Sequence, residues 1–118
     1  MRYMLMHKVD DADPAAWSPT PEFLGRMGGF MAEVDKAGVL LAAEGLAPSS
    51  AGAAVIRVKN GTQTVVDGPF AEAKEVIAGF AILQVRDHAE AVEWAQRFGA
   101  LFEDIEVEIE VRRVPDHN

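Results

Sequence analysis

"AAVIRVKNGTQTVVDGPF", residues 53–70, holds two β-rich runs on either side of Asn60-Gly61 and ends in a proline corner. Asn-Gly is the pair most favoured at the centre of a two-residue type I′ hairpin, where both residues need positive φ. The spacing predicts a hairpin in which Ile56 faces Val65 and Ala54 faces Asp67. Strand side chains alternate between faces, so Asp67 falls on the same side as Ile56, Val58 and Val65.

The elements outside this hairpin decide what it is inserted into. Before it, "VLLAAEGL" at 39–46 reads as a strand ended by Pro48 and a small-residue loop. After it, "AEAKEVIA" at 71–78 has room for about one helical turn, and "GFAILQV" at 79–85 reads as a buried strand. At the start, "RYMLMHKV" at 2–9 predicts a strand with Tyr3, Leu5 and His7 on one face and Met4, Met6 and Lys8 on the other. A proline-broken loop follows, and Ser18 or Thr20 is placed to cap a helix, each with proline directly after it. Phe23, Met27, Phe30 and Val34 recur at helical spacing, flanked by Leu24 and Met31, and Gly38 closes that helix. Gly28 and Gly29 lie inside it, which implies close packing of the helix against a sheet. Asp87 caps a second helix, with Glu90 three residues on to complete a capping box. Val92, Ala95 and Phe98 form its inner face and Gly99 ends it. The final run, 105–114, alternates strictly between Ile105, Val107, Ile109, Val111 and the charged Glu106, Glu108, Glu110, Arg112.

The expected order is strand, helix, strand, inserted hairpin, strand, helix, strand. This is an α+β fold of the ferredoxin-like βαββαβ kind, an antiparallel sheet with two helices on one face. Residues 1–118 form a single domain, a length sufficient to bury one core. Two helices cover only one face of such a sheet. The strands at 39–46 and 79–85 are apolar on both faces, so the other face is expected to pack against a second copy of the chain. A homodimer with facing sheets would enclose a small-molecule cavity.

Composition removes several function classes. The chain has no cysteine, which excludes disulfides, thiolate nucleophiles and Cys-ligated zinc and agrees with a cytoplasmic location. The formal charge is −8, from 19 acidic and 11 scattered basic residues, so no nucleic-acid partner is expected. No apolar run has the length of a membrane span, and the N-terminus reads as a strand, not a signal peptide. No H-x-x-x-H or H-x-E spacing is present; a metal site would have to be assembled across strands from Glu44, Glu72 and His7. Neither a metal nor another cofactor is expected. Glycine-rich phosphate loops and a nucleophile elbow are both missing from the sequence.

The strings "RYMLM" at 2–6, "AGVLLAAEGL" at 37–46 and "VVDGPFAEAKEVIAGF" at 65–80 also carry a resemblance. With "AVEWAQRF" at 91–98 and "IEVR" at 109–112, nearly the whole chain is similar to the DGPF-type branch of the YCII-related proteins. Members of that branch commonly have Thr where this chain has Ala73, so a hydroxyl role at that position is missing here. The resemblance implies a dimeric α/β barrel and, through frequent gene neighbourhood, a link to extracytoplasmic-function sigma factors. More distant YCII-type relatives resemble small-molecule lyases or isomerases with a His–Asp acid/base pair, and no matching motif places that histidine here.

Asp67 is the leading candidate for chemistry. It ends a strand ahead of Gly68-Pro69, where a partly desolvated carboxylate serves as general base; the alternative is an Asx-turn that only shapes the corner. His7, near the end of the first strand, is either a pocket residue or a packing residue. Gly68, Glu72, Lys74 and Arg112 are the candidate ligand-binding residues, with Lys74 or Arg112 gripping an anionic or aromatic metabolite. Their plainer role is a set of surface ion pairs. The expected function is binding of a small anionic or aromatic metabolite in a pocket at the dimer sheet face, with lyase or isomerase chemistry on Asp67 as base as one reading. The alternatives are a non-catalytic sensing module acting on a partner such as a sigma factor and, by fold analogy alone, a cofactor-free monooxygenase.

Overall fold

The computed structural model describes residues 1–70 and 75–116. Its elements run β1 (Arg2–Val9), a short 3-10 turn (Pro14–Trp17), α1 (Pro21–Lys36), β2 (Leu40–Gly45), β3 (Ala54–Lys59), β4 (Thr62–Asp67), β5 (Val76–Gln84), α2 (His88–Gly99) and β6 (Glu108–Val114). Four strands form one antiparallel sheet in the order β2-β5-β1-β6, and β3 and β4 pair only with each other. Omitting the hairpin, this is the ferredoxin-like order, with the first and third core strands at the centre of the sheet.

Local chemistry accounts for the element ends. The Thr20 hydroxyl accepts the Phe23 N–H at 3.1 Å with Pro21 in the first turn, and Gly38 follows α1 at φ +74°. That conformation is one glycine adopts without a Cβ clash. Asp87 accepts the Glu90 N–H at 2.9 Å. The Glu90 carboxylate reaches past the cap to the Arg86 N–H at 2.8 Å, so the expected reciprocal box is displaced by one residue. Asn60 and Gly61 both take positive φ, 52° and 78°, and the hairpin register is the expected one, Ile56 opposite Val65 and Ala54 opposite Asp67.

Tyr3 and Leu5 of β1 and Leu83 of β5 are buried beneath Val34 of α1 and Ala91, Trp94 and Ala95 of α2. This is the face predicted for Tyr3, Leu5 and His7. Met4, Met6, Phe80 and Ile82 stand on the other face, which neither helix among the described residues covers.

Three local expectations differ from the structure. Strand β5 begins at Val76, so 76–78 extend the sheet instead of ending a helical turn; 71–74 lie outside the described residues. Strand β6 begins at Glu108, because the chain is still turning away from α2 at Ile105. A Cβ added at Gly28 or Gly29 would meet no atom within 4 Å, so neither glycine serves close helix packing.

The hairpin projects from the body. Ile56, Val58 and Val65 are 55%, 62% and 63% exposed along one of its faces. The radius of gyration is 15.9 Å, against about 13.5 Å for a compact chain of this length.

Candidate functional site

The space under α1 is divided around His7. On the helix-covered face His7 follows Leu5 by two residues, and its ring stands 5.5 Å from Phe98 and 5.6 Å from Phe102, centroid to centroid. The strand beneath it is bare: a Cβ on Gly79 would lie 2.6 Å from His7 Cε1. The missing side chain is what lets the imidazole lie down on the sheet. Burial holds the His7 pKa below its ordinary value of 6.5, because a charged imidazolium loses its water there. The ring is therefore neutral near pH 7.

Two cavities open from this point. The first, about 320 Å³, runs between α1 and the sheet and is walled by apolar side chains such as Phe30, Met31, Leu40 and Ala43. The second, about 370 Å³, lies toward the loops and is walled by Trp17, Phe23 and Phe102, with Arg26 among its lining residues. His7, Met27 and Gly45 line both. Arg26 donates from Nη2 to the Leu101 carbonyl at 2.9 Å, and one Nη2–carboxylate approach to Glu103 spans 4.0 Å. Its Nε is buried with no acceptor among the described residues. The Arg26 side chain is 37% exposed and is the one lysine or arginine in that lining among the described residues, beside Glu103 and Asp104, so its guanidinium can meet an anion there.

The DGPF corner is held apart from these cavities. Gly68 donates its N–H to the Ala53 carbonyl at 2.8 Å, closing the base of the hairpin, and the Gly68–Pro69 bond is cis. Phe70 donates its N–H to the Ser49 hydroxyl at 3.0 Å. Ser49, almost fully buried, donates its own N–H to Asp11 Oδ1 at 3.2 Å and its hydroxyl proton to Asp11 Oδ2. The Asp11 carbonyl in turn accepts the Trp17 indole N–H at 3.0 Å. Asp11 thus joins the corner to a wall of the second cavity.

The candidate residues fall in separate places. His7 is central to both cavities. Asp67 is exposed at the hairpin base, and its carboxylate makes none of the side-chain hydrogen bonds found among the described residues. Gly68 is in the docked corner. Arg112 stands on the uncovered sheet face and donates to Glu110 at 3.0 Å; Glu110 also pairs with Lys8 at 2.5 Å. Lys8 and Arg112 hold the Glu110 carboxyl below the usual carboxylate range. Beside them, a hydrogen bond with Glu108 and loss of water raise the Glu75 carboxyl. Glu72 and Lys74 lie outside the described residues. Glu44 pairs with Phe80 on the uncovered face, opposite to His7, so those two do not converge on one ion.

Arg26, Trp17 and Asp11 were not singled out from the sequence. Arg26 lies one residue from the apolar stripe of α1 and reads there as solvated. Trp17 sits in a loop, where the sequence carries no period. The "D-D-A-D-P" string signals a turn but not which carbonyl or carboxylate points inward.

A ferredoxin-like sheet with a histidine-centred cavity between sheet and helix defines the class to which the molecule belongs. The family model of the YCII-related domain matches residues 1–114, and the chain belongs to that family. No curated protein matches it. No helix among the described residues is long and apolar enough to cross a membrane.

Proposed function

We propose that the protein binds a small aromatic carboxylic acid in the second cavity and acts on it by acid/base chemistry of the lyase or isomerase type. The observation that carries this reading is the shared lining of one cavity by His7, Arg26 and three aromatic walls. The Arg26 guanidinium, which is among the residues lining this cavity, supplies the carboxylate grip. Trp17, Phe23 and Phe102 offer flat apolar surface to a ring, and the neutral His7 imidazole accepts a proton from the bound molecule near pH 7. In this reading the general base is His7, while Asp67 and Gly68 shape the corner and Arg112 belongs to the uncovered face.

That uncovered face supports a homodimer. It mixes Met4, Met6, Phe80 and Ile82 with charges of both signs, Lys8 and Arg112 against Glu108 and Glu110. Such a patch is self-complementary across a two-fold axis. A chain without cysteines suits the cytoplasm.

One observation favours the second reading, a non-catalytic sensing module with a protein partner such as a sigma factor: the hairpin presents Ile56, Val58 and Val65 to solvent. The two readings are separated by incubating the protein with benzoate and phenylpyruvate in D₂O. Thermal unfolding reports binding and proton NMR reports exchange at the carbon next to the ketone of phenylpyruvate. Binding with exchange faster than in buffer, lost in His7→Gln, upholds the enzyme. Binding without such exchange upholds the sensor, and no stabilisation by either acid overturns the site.

A further inference from the structure

The apolar first cavity is not needed by a molecule as small as benzoate, yet it meets the second at His7, Met27 and Gly45. We infer that the natural ligand is an amphipathic acid: a carboxylate-bearing ring in the second cavity and a flexible apolar tail of several carbons that passes His7 into the first. The inference rests on the reading of the second cavity as the ligand site and names the chemical class that fills both.

Three features carry it. The first cavity is walled mainly by apolar side chains such as Phe30, Met31, Leu40 and Ala43, with Glu44 and His7 as its charged or titratable lining residues, and the apolar stretch suits hydrocarbon. The pinch between the two spaces is formed by a histidine, a methionine and a glycine. Met27 is an unbranched side chain that adjusts to irregular apolar surface, and Gly45 projects nothing. Finally, the one lysine or arginine among the described residues lining either space is Arg26, in the second. A ligand anchored there and extending past His7 finds its polarity falling along the path, from carboxylate to ring to chain. The His7 imidazole then faces the junction of ring and tail.

The test compares benzoate with 4-hexylbenzoate, which share a head and differ only in a tail, by isothermal titration against the wild-type protein. Burying six additional methylene or methyl groups predicts an affinity gain of tenfold or more for the longer acid. Ala43→Phe fills the first cavity from the sheet side and should remove that gain while leaving benzoate binding within about twofold. Met31→Trp fills it from α1 and gives the same answer should the first variant fail to fold. Equal affinity of the two acids in the wild type overturns the inference while the head site stands. A gain that survives both filled variants also overturns it, because the tail then lies elsewhere. Tight 4-hexylbenzoate binding that is unchanged in Arg26→Gln but lost in Ala43→Phe upholds the tail cavity and overturns the head site. Binding of neither acid overturns both.

Discussion

The His7 imidazole occupies the place that a side chain at Gly79 would take: a Cβ there would stand 2.6 Å from Cε1 of the ring and 3.0 Å from the Glu44 carbonyl oxygen. The histidine is seated by an absence. Gly79→Ala must therefore lift the ring, press on β2, or both. Overpacking of this kind costs about 1–3 kcal/mol. A lowered denaturation midpoint, together with a shifted His7 ring-proton resonance, is the expected result; a variant with both unchanged would contradict the seat.

Titration gives His7 a second signature. Its folded-state pKa is depressed by burial below 6.5, so the unfolded chain takes up this proton more readily than the folded one. Stability from this group is fully present above the unfolded value and is lost as the pH falls below 6.5 through the folded pKa. His7→Phe removes that component. Between about pH 7 and pH 5 the variant's urea midpoint should fall less than the wild type's, and the one imidazole signal missing from the variant identifies the His7 resonance in the wild type.

Gly68 is fixed by a closer approach still. A Cβ at this position would lie 1.9 Å from the Ser49 carbonyl oxygen, which is backbone and cannot swing aside. Gly68→Ala is expected to undock the corner at a cost of about 1–3 kcal/mol or more. Hydrogen exchange should report the failure locally, with the Phe70 and Gly68 amides losing protection ahead of those in β1 and β5.

Ser49→Ala removes one hydroxyl that both receives the Phe70 N–H and gives its proton to Asp11. Leaving a buried amide and a carboxylate without it predicts a loss of about 1–3 kcal/mol. Asp11→Ala breaks the same chain, so the two losses should not add, and a double-mutant cycle that closes to zero coupling would refute the link. The Trp17 indole resonance should move in either variant while that of Trp94 stays.

The proposed two-fold association through the uncovered face makes a separate prediction. Met6→Glu places a carboxylate amid Phe80 and Glu110, its neighbours across β5 and β6. Sedimentation should then change from a two-chain to a one-chain mass without loss of helical signal. A wild type that sediments as one chain at all concentrations would end the dimer proposal.

The sequence was most readable where a local rule acts alone. Asn60-Gly61 set a register that holds to the residue, Ser18 or Thr20 marked the first helix start (the structure uses Thr20) and Asp87 the second, and the alternation in 2–9 sorted Tyr3 and Leu5 from Met4 and Met6. His7 was legible as a pocket or packing residue from its place near the end of the first strand. Arg26 was not, because its value to the cavity comes from Leu101 and the aromatic rings brought up by distant turns. Gly28 and Gly29 misled: a glycine pair in a helix has the same appearance in sequence whether it faces a sheet or open space. The separation of Asp67 from His7 depends on which way the hairpin leaves the sheet, and no periodic pattern encodes that direction.

The hairpin also has a consequence for how the chain tolerates change. The path leaves the sheet at Gly45 and returns beside it, since Leu46 donates its N–H to the Ala78 carbonyl at 2.8 Å. The β3–β4 hairpin is thus carried on a stretch of chain whose exit lies against the sheet and which is tied back to the body through Ser49 and Asp11. The entropy of closing such a loop grows only with the logarithm of its length. The body is thus a chassis with one socket, into which longer or shorter β3–β4 arms fit so long as the Ser49–Asp11 tie is kept.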